Sequence, residues 1–460
     1  MKQSLTVSPS TASIALTAMA ILLTIMNTFS AEPAQAWVQV PAILARIVPP
    51  TFPDRDFNVT NFGAVGDGTN DCTKAFADAI AACNEAGGGR VLVPAGTYLS
   101  GAIHLKSCVN FHLAKNATIK FSTEPKKFLP LVVSRDVADM MNYSPFVYAF
   151  EQHDIAITGE GTLDGQASKS VWASWVSKEK SGKSGEALQA MGDEELPVAQ
   201  RIMGEGYFIR PNFVEPLRCR NVLIEGITIT DSPMWVLHPL YSTNVTIRGV
   251  TVISHGKNND GCDPDSCKDV LIKDCTFDTG DDCIAVKAGR DHDGRRVNIP
   301  TEDVVIQNCR FKDGHGGVTM GSETSGGIRN VFAEDCHFDS PNLDQALRFK
   351  SNRARGGFIR DIYIRNSTIK TAKFGIHMTL KYTSSGLKEG DFPPVVRDLD
   401  IRDCVFENVL KQAVFIEGVE GTPITDVTIA NCTFPELKTP NTITNAARIH
   451  LLDNKTASAK

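Results

Sequence analysis

From Asn221 onward the chain repeats one phrase of hydrophobic and polar positions: Asn or Asp, a β-branched or apolar pair, a polar break, then Cys or Ile with an apolar partner. It reads NVLIEGITI at Asn221, NVTIRGVTV at Asn244, DVLIKDCTF at Asp269, DVVIQNCRF at Asp303 and NVFAEDCHF at Asn330, then DIYIRNSTI at Asp361, DLDIRDCVF at Asp398 and DVTIANCTF at Asp426. Successive starts are 23, 25, 34, 27, 31, 37 and 28 residues apart, and weaker copies precede them at Val109 and Asp154. Each phrase holds two short alternating strands split by a polar corner, and no stretch between phrases keeps a helical period. One such unit cannot bury its own apolar face, whereas a stack of them shares a continuous core. Leucine-rich repeats have a similar period but need LxxLxL phrasing, which is absent. The pattern predicts an all-β, single-domain, right-handed parallel β-helix of about ten coils, its handedness taken from the fold type.

Other patterns mark the boundaries. Thr73 to Asn84 places apolar residues at 75, 76, 79, 80 and 83, one face of an amphipathic α-helix stopped by Gly87-Gly88-Gly89, and this helix is expected to cap the N-terminal end of the stack. Gln166 to Arg210 departs from the repeat and is expected to be a large loop off one coil. The apolar run Ile14 to Met26 is too short to span a bilayer at about 20 residues. With Ala34-Gln35-Ala36 behind it, residues 1–36 read as a secretory signal peptide cleaved after Ala36. Residues 37–55 then form an N-terminal extension, 56–452 the β-helix, and 453–460 a flexible tail. A secreted or periplasmic protein without a membrane anchor follows.

Composition changes the picture in two places. The 460 residues carry 47 basic and 53 acidic side chains, a net charge of −6, with 42% hydrophobic and 22% charged residues, which excludes bulk disorder and a multi-span membrane protein. Twelve cysteines in an exported chain suggest disulfides. Yet Cys275, Cys309, Cys336, Cys404 and Cys432 recur at one place in the phrase, with Ser367 in a sixth copy, so they are expected to stack as a buried ladder. If any bridges form, Cys262, Cys267 and Cys283 are the better candidates.

The candidate chemistry falls in successive coils: Asn258-Asn259-Asp260, Asp281-Asp282, Gly314-His315-Gly316 and Arg348-Phe349-Lys350. Stacked parallel strands would bring Asp260, Asp281 and Asp282 together, with His315 one coil on and the basic pair beyond it. Crowded carboxylates cannot all ionise easily, so one retains a proton beside ionised partners, which is what glycosidic cleavage needs. Arg348 and Lys350, two apart on a strand, would bind an anion together. Nine basic residues against Asp361 alone between Arg348 and Lys381 suggest a specific anionic polymer, a polyuronide, rather than nucleic acid. Taken singly, Asp-Asp and Gly-His-Gly are more often turn chemistry, and the same acids suit Ca²⁺; their shared register favours an enzyme.

These four motifs, in this order on a β-helix, resemble glycoside hydrolase family 28, the polygalacturonases, over residues 61–431, with the exo-acting bacterial and plant members nearest. The resemblance implies hydrolysis of α-1,4-galacturonosyl linkages in pectin with inversion, without cofactor or metal, by a monomer. Asp281 would be the general acid, Asp260 and Asp282 would hold the attacking water, and His315 would tune the acid. Arg348, Lys350, Tyr382 and Asn258 would bind substrate. Asn259 stands where fungal members carry Thr, and Gly280 where Gln is common. The long segment 287–300 and the 166–210 excursion are expected to close one end of the cleft. The alternatives are a rhamnogalacturonan or xylogalacturonan hydrolase, a Ca²⁺-dependent pectate lyase and a non-catalytic polysaccharide-binding solenoid.

Overall fold

The computed structural model describes residues 36–383, 389–437 and 439–457. The first residue of each repeat explains the coil. Asn221, Asn244, Asp269, Asp303, Asn330, Asp361, Asp398 and Asp426 all have φ between 53 and 58°, the left-handed region that Asn and Asp tolerate best after Gly. Each sits at the corner where the chain enters the next strand, and some of their side chains hydrogen-bond from coil to coil. Asn221 Nδ2 donates to Asp154 Oδ1 at 2.7 Å and Asn244 Nδ2 to Asn221 Oδ1 at 2.8 Å.

The strands that follow pair in parallel, Val222 with Val245, Val270, Val304, Val331, Ile362, Leu399 and Val427 in one rung. The sheet they form has thirteen strands, from Asp56–Asn58 to Ala446–Leu452, more than the ten coils the repeat predicts. The unrecognised coils are the first two and the last. In the last, Arg448 takes the left-handed corner (φ 54°) that Asn or Asp fills in the eight phrases from Asn221 to Asp426, which hides the phrase. Two further sets of parallel strands complete each turn and enclose one continuous apolar core.

The five ladder cysteines are buried, Ser367 is buried in the sixth place, and Phe277, Phe311 and Phe338 stack beside them with centroids 5.9 and 4.6 Å apart. Cys262, Cys267 and Cys283 lie in the same core as free thiols, and all twelve cysteines are unbridged.

Among the described residues five α-helices decorate the solenoid. α1 (Val40–Arg46) belongs to the N-terminal extension and lies on the outside of the long sheet. Trp37, Val40, Ile43 and Ile47 pack there on Val305, Phe332 and Tyr363, and Arg46 Nη2 reaches Asp269 at 2.6 Å and Asp303 at 2.8 Å. The expected leader lies outside the described residues except for Ala36. α2 (Thr73–Glu85) is the amphipathic helix read from the sequence; it covers the first coils, with Phe76 against Tyr98 and Phe111.

The 166–210 excursion is not an irregular loop. It contains α3 (Val171–Trp175) and α4 (Lys183–Asp193), and the segment after the Asp pair contains α5 (Asp291–Val297). Helices of one to three turns give too few apolar positions for a period to show. The predicted tail is likewise corrected, since Lys455–Ala457 is a strand paired with Thr433–Pro435. No helix among the described residues is long and apolar enough to cross a membrane.

Candidate active site

The site is built on the strands Ile284–Val286, Gly316–Met320, Gln345–Lys350 and Thr368–Thr379 and the bridge residues that precede them. Cys262, Ile284, Val318, Leu347 and Ile376 form one inward rung. Alternate residues face outward. Two positions before the rung stand Asp260, Asp282, Gly316 and Gln345; one after it, Asp263, Ala285, Thr319, Arg348 and His377; three after it, Asp265, Lys287, Gly321, Lys350 and Thr379. Asp281 and His315 sit at the mouths of their coils. The four sequence motifs therefore meet on one face.

One carboxylate oxygen from each of Asp260, Asp281 and Asp282 lies within 4.8 Å of the others. Asp282 is fully buried, with Oδ1 2.7 Å from Arg348 Nη1 and Oδ2 2.6 Å from Lys350 Nζ. Burial opposes its ionisation, but Lys350, Arg348 and Lys287 outweigh it and hold the carboxyl well below the usual range. Asp281 Oδ1 lies 3.0 Å from His315 Nδ1. That hydrogen bond raises the imidazole above its ordinary value, against partial burial. Asp260 is pushed up to about 7 by burial, with Asp281 and Asp282 adding to the rise and Lys287 and Lys350 opposing it. Burial thus favours a proton on Asp260, whereas Asp282, the deepest of the three, is held ionised by the cations on its oxygens.

The remaining motif residues have mechanical reasons. A Cβ at Gly316 would lie 2.7 Å from Asp282 Oδ1 and 2.1 Å from Thr319 Oγ1, and one at Gly280 would lie 2.3 Å from the Gly256 carbonyl oxygen. Asn259 is buried; its Oδ1 accepts from Ser254 Oγ and Gly256 N, and its Nδ2 donates to the carbonyls of Ser232 and Met234, so it braces the turn that presents Asp260. Asn258 Oδ1 accepts from Arg210 Nη2 at 2.8 Å. The Tyr382 ring lies 5.1 Å from Lys350 Nζ and 5.7 Å from the Arg348 guanidinium carbon.

The broad positive field expected between Arg348 and Lys381 is largely cancelled in place. Arg355 pairs with Asp291, Arg360 with Asp361, Arg365 with Glu334, Lys370 with Asp339, Lys373 with Asp344 and Lys381 with Glu417. Sequence reasoning missed Lys287 and Arg210, both buried against the acids. Lys287 follows Ile284 by three residues as Lys350 follows Leu347, a register visible only once the rungs are known.

On the N-terminal side of the acids the cleft is closed. Glu215, His238 and Asp265 are fully buried there, under an antiparallel hairpin of Val132–Arg135 and Asp139–Asn142. Arg135 of the hairpin reaches Asp265 at 3.0 Å. Arg201 from the excursion reaches Asp293 of α5 at 3.0 Å and the carbonyl of Asp139 at 3.0 Å, joining all three covering segments. On the C-terminal side His377, Thr379 and Tyr382 remain part-exposed and Lys381 and Lys411 are exposed.

A model of glycosyl hydrolases family 28 matches residues 204–457, and one described as rhamnogalacturonase A/epimerase, pectate lyase-like, matches residues 57–127. The chain belongs to glycosyl hydrolases family 28. This family 28 hydrolase is 33% identical over 391 residues to a probable polygalacturonase of Vitis vinifera, covering 82% of the chain and 73% of that relative. It is 29% identical to an exo-poly-alpha-D-galacturonosidase of Dickeya chrysanthemi, covering 77% of the chain and 62% of that protein. Among solved structures it superposes on a hyperthermoactive exopolygalacturonase from Thermotoga maritima with a TM-score of 0.83 and 37% identity, over 90% of the chain and 96% of that one.

Proposed function

We propose that this hydrolase is an exported, exo-acting polygalacturonase that cleaves α-1,4-galacturonosyl linkages from one end of pectic chains. The observation that carries the exo reading is the closure on the N-terminal side of the acids. A polymer entering from the open side runs into the wall of hairpin, α4 and α5 after its terminal units. The named relatives, one of them an exo-galacturonosidase and one an exopolygalacturonase, support the substrate class.

In this reading Asp281, at the mouth and beside His315, protonates the departing glycosidic oxygen. Asp260 and Asp282 hold and deprotonate the water that attacks the anomeric carbon. Arg348 and Lys350, which Asp282 holds in the empty cleft, share themselves with the uronate carboxylate, and the Tyr382 ring beside them backs the sugar. Asn258 anchors the rim through Arg210. Export rests on the sequence of residues 1–36.

Inversion follows the family resemblance. Digestion of unesterified polygalacturonate, with and without chelator, tests the assignment. Monomer or dimer as the sole early product, unaffected by chelator, supports it; an early ladder of oligomers overturns exo action, and an ultraviolet-absorbing unsaturated product makes the protein a lyase. Proton NMR of the first-formed anomer decides between inversion and retention.

A further inference from the structure

Lys287 is a buried ammonium surrounded by carboxylates. Its Nζ lies 3.1 Å from Glu323 Oε2, 3.3 Å from Asp260 Oδ2 and 3.4 Å from Asp263 Oδ1, and 4.5 Å from the centre of the Trp235 ring, with its side chain only 3% exposed. It occupies the same outward row as Lys350, two coils away, with Gly321 between them. Asp260 and Asp282 are neighbours in their own row. The two acids assigned to the water are therefore each met by a lysine from that row, Asp282 by Lys350 and Asp260 by Lys287. Asp281, assigned to the leaving group, has His315 within 3.0 Å and is the most exposed of the three.

We propose that Lys287 is a positioning residue that fixes Asp260 toward the attacking water and offsets part of its burial, so that Asp260 can act as a base at a lower pH than it otherwise would. The proposal rests on the assignment of Asp260 as a base. The other groups that bear on Asp260 are Asp281 and Asp282 before the Ile284–Val286 strand, Lys350 at the end of the Gln345–Lys350 strand, Asp263 in its own coil and Arg210 from the excursion. Asp263 is fully enclosed; burial and Asp260 raise it well above the usual carboxylate range while Lys287 opposes the rise, so its neutral form is favoured. Glu323 stays ionised despite burial because Lys287 and Arg355 hold it low, and it draws part of the Lys287 charge away from Asp260. Lys287 is then the one cation that touches Asp260 directly among the described residues, and Glu323 sets how much of it Asp260 receives.

The sign follows. A base must lose its proton to act, so activity rises with pH through the Asp260 titration; a nearby positive charge moves that limb down and its removal moves it up. The test compares Lys287→Met, Lys287→Arg and Glu323→Gln in the full chain, with kcat and KM on polygalacturonate measured from acid to neutral pH. Lys287→Met is expected to move the acid limb of kcat up by about one pH unit or more, a loss of about tenfold at acid pH that recovers toward neutrality. KM should stay within about twofold, because Lys287 acts through Asp260 and not on the sugar. Lys287→Arg should restore the limb, and Glu323→Gln should move it in the opposite direction. Carbon-13 NMR of aspartate-labelled protein follows the Asp260 carboxyl itself, assigned by its loss in Asp260→Asn, and should show the same order of midpoints. A loss equal at every pH, an unmoved Asp260 midpoint in Lys287→Met, or an upward shift in Glu323→Gln overturns the proposal. If the wild-type protein cleaves no polygalacturonate, the functional reading fails, while the NMR titration still judges Lys287.

Discussion

Three aspartates whose carboxylate oxygens lie within 4.8 Å of one another are distinguished by what touches each of them. Asp282 has two cations on its oxygens and is held ionised. Asp260 is deeply buried and has one, and Asp281 has an imidazole and some solvent. Replacing Asp281 by Asn keeps its size and its contact with His315 but removes the proposed proton donor. Turnover should fall about 10²- to 10⁴-fold while binding of short galacturonate oligomers persists, as read by calorimetry beside steady-state rates. The Asp pair, the His and the Arg-x-Lys pair could be named from sequence because their spacing matches the coil period. Lys287 could not, since its importance comes from contacts to Asp260 and Glu323, 27 and 36 residues away in neighbouring coils. Single lysines carry no signal of burial.

Among the elements, the β-helix was legible because the start of each repeated phrase needs a left-handed residue and Asn or Asp supplies it in all eight phrases. Where the corner is Arg448, the last coil went unseen. The covering helices were illegible for a different reason: α3, α4 and α5 are short and find their apolar partners on other segments, so no local period announces them. That wall depends on few contacts. Arg201 is buried, and replacing it by Ala removes its ion pair with Asp293 and its bonds to the carbonyls of Asp139 and Leu196. Breaking such a pair typically costs about 3–5 kcal/mol where an unpaired charge is left, although Asp293 keeps Arg296 at 2.7 Å, which reduces the loss here. The expected result is faster proteolysis within 171–200 and longer oligomers among the early products, with the solenoid still folded by circular dichroism.

For the whole molecule, thirteen rungs with one shared core take the place of cross-links. Burial pushes the thiols of Cys219, Cys267 and Cys336 up to about 12, and that of Cys83 to about 11, so these four carry little reactive thiolate. Reducing agent should leave the melting temperature unchanged, and thiol titration of the denatured chain should return all twelve cysteines as free. A lower melting temperature with reductant would show that bridges form in the folded protein.

The wall beside the acids also dictates an order of departure. Once the bond is cut, the small product sits between the wall and the shortened polymer, and it has no other way out. Under the proposed exo action the polymer has to withdraw first and find the cleft again for every cut, so that reading entails repeated encounters and no threading along the substrate. The enzyme's throughput is then governed by the number of chain ends in solution, and the small product, last to leave, competes with the next end to arrive.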